Sequence, residues 1–164
     1  MDLQVKIYTE RAKNELIVAK KLKQMSEDQE IKSFLEIPKD ITFYSSVISH
    51  SYYAIFYISK ALLLTKNIKT STPEVHRKTF DEFKKNFVDT GDLDVSLLKI
   101  YKTLIIRADE LLEIFKDEKW KRGNFTYNTI PQTNKNPAED SLKNAEKFIS
   151  NIDKVIENRV SNKN

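Results

Sequence analysis

Apolar residues recur at intervals of three and four along most of the chain, with charged residues between them. This is the pattern of amphipathic helices. Leu3, Ile7, Leu16, Ala19 and Leu22 keep that spacing and predict a first helix over 3–25. Residues 26–37 read as its continuation or as a short separate turn, ended by Pro38. Asp40 is a suitable cap for a second helix reaching Lys66, since its carboxylate can accept from unpaired first-turn N–H groups. In that helix Ile41, Tyr44, Val47, Ile48, Tyr52, Ile55, Phe56, Leu62 and Leu63 form one stripe. Phe43, Tyr53, Tyr57, Ile58 and Leu64 widen it to most of the circumference. A helix of this kind lies at the centre of its bundle or against another subunit. Tyr52, Tyr53, Phe56 and Tyr57 are accordingly the expected dimer interface.

Ser71-Thr72-Pro73-Glu74 reads as the next helix start: a hydroxyl cap, proline at the first helical position, then an acid. Val75, Phe80, Phe83 and Phe87 follow, and Thr90-Gly91 closes the segment. Asp92 can cap a fourth helix, whose Leu93, Leu97, Ile100, Tyr101, Leu104, Ala108, Leu111, Leu112 and Phe115 give the cleanest periodicity and predict helix to about Lys119. Residues 120–136 break the pattern with Gly123, Asn124, Asn128, Pro131, Asn134 and Asn136. Asn136-Pro137-Ala138-Glu139 repeats the cap-proline-acid start, and Leu142, Ala145, Phe148, Ile149, Ile152, Val155 and Ile156 mark the last helix. A frayed tail is expected over 160–164. The fold class is therefore all-α, an antiparallel up-and-down bundle of about five helices in one domain spanning 1–164.

Composition narrows the chemistry. Two glycines exclude a Walker A loop and a dinucleotide fingerprint, and four prolines with so little glycine do not suit an all-β fold. The chain has no cysteine, which removes disulfides, thiolate metal sites and cysteine nucleophiles. The sequence contains no Glu-x-x-His, which argues against a carboxylate-bridged di-metal bundle. Neither a metal nor a cofactor is expected. The N-terminus is charged from its second residue and reads as no signal peptide. The apolar run 55–64 is interrupted by Ser59 and Lys60, as a core helix would be, so a cytoplasmic protein without membrane contact is expected. The net charge of +4 permits a phosphate-bearing partner without requiring one.

Two histidines are the only groups whose ordinary pKa lies near neutrality. His50, between Ser49 and Ser51 in the most apolar helix, reads as a hydrogen-bonded core histidine. His76, beside Arg77 and Lys78, reads as a surface residue that could join a phosphate-facing patch. The pair Asp92 and Asp94 reads as helix capping rather than metal binding. The strongest local anomaly is 119–127, Lys-Trp-Lys-Arg-Gly-Asn-Phe-Thr-Tyr. From 116 to 136 five Lys/Arg stand against two acids. Cations interleaved with Trp120, Phe125 and Tyr127 suit phosphate contacts and base stacking. They equally suit a loop whose aromatics fold onto the bundle while its lysines stay solvated, which is the plainer reading of the residue types.

Several stretches resemble the HEPN family of helical bundles. Residues 48–64, Ile-Ser-His-Ser-Tyr-Tyr-Ala-Ile-Phe-Tyr-Ile-Ser-Lys-Ala-Leu-Leu-Leu, are similar to its Ser-x-Ala-Tyr-Tyr-Ala-Met-Phe core followed by Ala-Leu-Leu. Val75-His76-Arg77-Lys78 resembles its Thr-His-Lys segment, and Arg122-Gly-Asn-Phe-Thr-Tyr127 its Arg-x-x-Ala-Asp-Tyr. Residues 138–152 resemble its last helix, and the order of elements agrees from about 5 to 158. The resemblance implies frequent homodimers and roles around RNA or nucleotides. Many members are metal-independent endoribonucleases using Arg-x(4–6)-His near a dimer cleft, and others pair with nucleotidyltransferase-type proteins. Here no arginine is followed by histidine at that spacing, and Tyr127 stands where the histidine would be. A phenol with an ordinary pKa of about 10 is a poor proton shuttle at neutral pH.

The expectation is a homodimer that binds RNA or nucleotide, alone or with a nucleotidyltransferase-type partner in a toxin–antitoxin pair. Lys119, Lys121 and Arg122 would hold phosphate, with Trp120, Asn124 and Tyr127 stacking or orienting the ligand. The first alternative is a divergent metal-independent ribonuclease toxin using Arg122 with Tyr127 or His76 as catalytic groups. The second is a purely structural adaptor.

Overall fold

The computed structural model describes residues 2–112 and 135–162. These residues form six helices: α1 (Leu3–Glu27), α2 (Gln29–Phe34), α3 (Tyr44–Leu64), α4 (Val75–Phe83), α5 (Val95–Leu112) and α6 (Lys135–Ser161). The all-α bundle expected from periodicity is what folds, with α2 as a separate short helix rather than a continuation of α1. Asp28 divides the two: its backbone is extended, and its carboxylate accepts from the N–H groups of Glu30 and Ile31 at 2.9 and 3.1 Å.

Cross-helix pairs set the directions. Lys13 pairs with Asp153, Lys20 with Glu146 and Lys23 with Glu139, so α1 and α6 run antiparallel. Glu15 with His50 and Arg11 with Tyr57 make α1 and α3 antiparallel as well. Tyr101 against Phe148 and Arg107 against Asp140 do the same for α5 and α6. The four long helices thus alternate up and down, with α3 packed on α1, α4, α5 and α6. By length and composition α3 could cross a membrane, but most of it is buried inside the bundle. Its buried side chains include Val47, Ile48, Tyr52, Ala54, Ile55, Phe56, Ile58, Leu62 and Leu63.

Four local expectations need correction. The buried stripe of α1 is Val5, Thr9, Ala12 and Ala19, whereas Leu3 and Ile7 are 69% and 44% exposed. Small residues let α1 approach α3 closely, and that contact fixes the rotation of the helix. Asp40 does not cap α3. The Phe43 N–H is taken instead by Ser26 Oγ at 2.8 Å, and the buried Lys32 ammonium donates to the Lys39 carbonyl at 2.7 Å. Both bonds hold the connecting segment away from helix geometry until Tyr44. Pro73 is not the first residue of α4: Glu74 adopts a left-handed conformation at φ 59° and the helix begins at Val75. Asn136 lies inside α6, which already includes Lys135 and continues through Ser161.

After Phe83 the helix widens into a π-turn over Lys84–Val88, which keeps Phe87 buried beside Phe83. Gly91 then turns the chain at φ 78°, a conformation that disfavours residues with a Cβ. Asp94 caps α5 through the Ser96 N–H at 2.7 Å. Asp92, the cap expected from the sequence, instead bridges Lys66 and Arg159 at 2.9 and 2.7 Å. Both acids therefore have structural roles.

Candidate functional site

The Tyr-Tyr-Ala-x-Phe stretch of α3 faces the start of α4 and builds an aromatic cluster around His76. The Tyr52 hydroxyl lies 2.8 Å from His76 Nδ1, and the Phe56 ring centroid lies 4.3 Å from the imidazole. Tyr53 meets the same imidazole edge-on at 6.0 Å. His76 is therefore a half-buried member of a ring cluster and not the surface residue expected from its Arg-Lys neighbours. The turn of α4 that carries it is amphipathic, and the imidazole falls on the inward face with Thr79 and Phe80.

Burial of the imidazole, helped by the nearby Lys60 charge, lowers its pKa to about 4. Burial holds the Tyr52 phenol well above its ordinary value. Near neutrality the phenol keeps its proton and the ring is neutral, so one of the pair donates across this contact and the other accepts. Such an imidazole can donate a hydrogen bond but is a poor acid or base at pH 7. His50 is hydrogen-bonded as expected, with Nδ1 2.6 Å from Glu15 Oε2, but it is half-buried on the α1–α3 boundary rather than in the core.

Beside this cluster Arg11 donates to the Tyr57 hydroxyl at 2.9 Å and stacks over its ring at 4.2 Å. Tyr57 in turn stacks on Tyr8. Of the four residues expected at a dimer seam, Tyr52 and Phe56 are buried inside the chain itself, while Tyr53 and Tyr57 are half-buried. One bundle covers more of α3 than its composition suggested, because α1, α4, α5 and α6 all pack on it.

Lys119, Trp120, Lys121, Arg122, Asn124 and Tyr127 lie outside the described residues, as do Phe115 and the expected end of the fourth helix at Lys119. The helices flanking that segment are tied together by Arg107, whose guanidinium donates to Asp140 at 2.6 Å and to Ser141 Oγ at 3.1 Å. Sequence reasoning missed this clamp, since a lone arginine in a periodic helix carries no partner signal. It also missed Lys60 as a site residue. That lysine interrupts an apolar run, and only the fold shows it over the Tyr8 and Phe56 rings. Among the described residues no three histidine or carboxylate side chains converge as metal ligands.

Comparison with known proteins agrees with these features. The HEPN domain profile matches residues 5–155. A Methanocaldococcus jannaschii protein described as a candidate toxin is 32% identical over 113 residues, 69% of this chain and 71% of its own length. A second protein of that organism with the same description is 44% identical over 57 residues, covering 35% of this chain but only 37% of that relative. A UPF0332 protein of Thermotoga maritima is 30% identical over 112 residues, 68% of this chain and 72% of its own length. With its bundle, its α3 tyrosine pair and a match over nearly its whole length, the chain belongs to the HEPN-domain family.

Proposed function

We propose that this chain is a toxin-like HEPN protein of the cytoplasm that binds RNA or nucleotide and lacks robust ribonuclease activity of its own. Its ligand's phosphate is held by Lys119, Lys121 and Arg122, with Trp120, Asn124 and Tyr127 stacking on or orienting the ligand. It acts as a homodimer and is paired with a nucleotidyltransferase-type partner. Family membership and the descriptions of the two archaeal relatives support the toxin-like class.

The observation that carries the non-catalytic reading is the engagement of both imidazoles. His50 is bonded to Glu15, and His76 is bonded to Tyr52 with its pKa lowered to about 4. Cleavage by a ribose 2′-hydroxyl needs a group that exchanges a proton near neutral pH. Tyr127 follows Arg122 where such a group would be required.

The test is metal-free cleavage of one single-stranded RNA by the parent, Tyr127→His, Arg122→Ala and His76→Ala. The parent should cleave slowly or not at all. Tyr127→His should raise the rate, toward the roughly 100-fold that a placed general base contributes. Vigorous cleavage by the parent, abolished in Arg122→Ala, would replace this reading with a ribonuclease. Its additional loss in His76→Ala would assign the imidazole.

A further inference from the structure

A cavity of about 200 Å³ opens between the first turns of α1 and the C-terminal end of α3. It is lined by Gln4, Tyr8, Lys60, Leu64, Ile68 and Lys69, with Thr70 and Ser71 at its edge. We propose that this cavity binds the phosphate of a single nucleotide, with Lys60 and Lys69 as its cations and Tyr8 as its aromatic wall. The ligand class rests on the functional reading above, but none of these residues belongs to the basic-aromatic segment 119–127.

Charge is the first argument. Two ammonium groups line the cavity and no carboxylate does. The neighbouring Asp2 is engaged at the N-terminus of α1, where it accepts from the Gln4 N–H at 2.9 Å. A cleft lined by one sign of charge concentrates ligands of the other.

Preorganisation is the second. Lys60 Nζ donates to the Thr70 carbonyl at 3.2 Å and sits 4.8 Å from the Tyr8 ring centroid and 5.6 Å from that of Phe56. Thr70 is itself anchored, its hydroxyl 2.7 Å from that of Thr79. An ammonium held this way keeps donor capacity for an anion and loses little freedom on binding it. Lys69 is exposed at the rim and can close over the ligand.

Size and lining are the third. The volume lies below the roughly 300–1,000 Å³ of drug-sized pockets, which limits the occupant to about one nucleotide. Tyr8, Leu64 and Ile68 offer an apolar and aromatic surface for a base or sugar. Gln4 and Ser71 offer hydrogen bonds to its polar edges.

The experiment titrates the full chain with 5′-AMP and with adenosine by calorimetry, comparing the parent with Lys69→Ala, Lys60→Met, Lys69→Arg and the triple Lys119→Ala, Lys121→Ala, Arg122→Ala. Lys69→Ala and Lys60→Met should each weaken 5′-AMP about tenfold or more, as loss of a charge-assisted contact does. Lys69→Arg should retain most of the affinity, and adenosine should bind far more weakly than 5′-AMP. Lys69 is exposed, so its variants keep the test valid even where Lys60→Met disturbs folding.

Unchanged 5′-AMP affinity in Lys69→Ala, equal affinity for adenosine, or no binding at millimolar 5′-AMP would each overturn the site. Loss of 5′-AMP binding in the triple variant alone would overturn it while leaving the segment 119–127 as the ligand site. Conversely, RNA binding lost only in the triple variant, with 5′-AMP lost only in the lysine variants, upholds both. Competition by a 5′-phosphorylated RNA oligomer but not by its 5′-hydroxyl form would assign the phosphate to an RNA end. Competition by neither would assign it to a free nucleotide.

Discussion

At the scale of single residues, the contact between Tyr52 and His76 shows how burial selects a protonation state. The Tyr52 hydroxyl and His76 Nδ1 are hydrogen-bonded at 2.8 Å, and the ring stays neutral because the surrounding aromatics cannot solvate its charged form. Burial is the larger cause of the lowered pKa, and Lys60 adds to it. In the unfolded chain the same imidazole titrates near 6.5. Between pH 6.5 and about 4 the unfolded state therefore binds a proton that the folded state does not. His76 should leave stability intact above pH 6.5 and reduce it as pH falls toward 4. Allowing for the ring's partial exposure, the loss should be on the order of 2 kcal/mol. Urea denaturation across that range should show the decline, and His76→Gln should flatten it. The imidazole resonance should titrate in NMR with a midpoint near 4 rather than near 6.5. A midpoint near 6.5 would show that the ring is solvated and would remove the argument that it is a poor proton shuttle for its own reasons.

At the scale of elements, packing decides which apolar residues of a helix are buried. In α1 the contact with α3 runs along Val5, Thr9, Ala12 and Ala19, leaving Leu3 and Ile7 exposed. The π-turn after α4 similarly places Phe83 and Phe87 against one core, where Phe83 meets Tyr101 and Phe148 at 5.5 Å each. Phe83 is fully buried, so Phe83→Ala should cost about 3–5 kcal/mol by lost burial and a residual cavity. Replacing Leu3 and Ile7 by glutamine should change stability by less than about 0.5 kcal/mol each, as exposed positions do. Equilibrium denaturation of the three variants checks both statements together. A large loss at Leu3 or Ile7 would show that this face is covered in solution, by a second copy or another partner.

At the scale of the whole molecule, the question is what the bundle leaves for a partner. Tyr52 and Phe56 are used up inside the chain, whereas Tyr53 and Tyr57, one turn apart, keep part of their surface on one side of α3. If the proposed homodimer forms over that side, light scattering at micromolar concentration and low salt should give twice the 19.2 kDa chain mass. Tyr57→Glu should shift it toward monomer, while Tyr52→Phe, altered only in the interior, should not. A monomer for the parent under those conditions would dispose of the homodimer. The +4 net charge adds no strong barrier to self-association and leaves salt dependence as the signature of phosphate binding.

Helix existence and the identity of most core residues were legible in the sequence, because burial of an amphipathic stripe is a local, periodic demand on residue type. Of the stripes expected in the fourth and last helices, Leu97, Tyr101, Leu104, Ala108, Phe148, Ile149 and Ile152 are buried, while Leu111 and Val155 are half-buried. The tyrosine-pair motif likewise carried the family without reference to any coordinate. Helix starts were less legible. Asp40, Pro73 and Asp92 have the chemistry of caps, yet distant partners such as Ser26, Lys66 and Arg159 decided what these segments do. The candidate sites depended on tertiary structure most. His76 takes its lowered pKa from Tyr52, Phe56 and Lys60 on another helix, and the lysine-lined cavity joins Tyr8 to residues 60–71. Periodicity shows which face of a helix turns inward; only the packed chain shows which side chains from different helices then share a low-dielectric space, and that sharing sets both charge and binding.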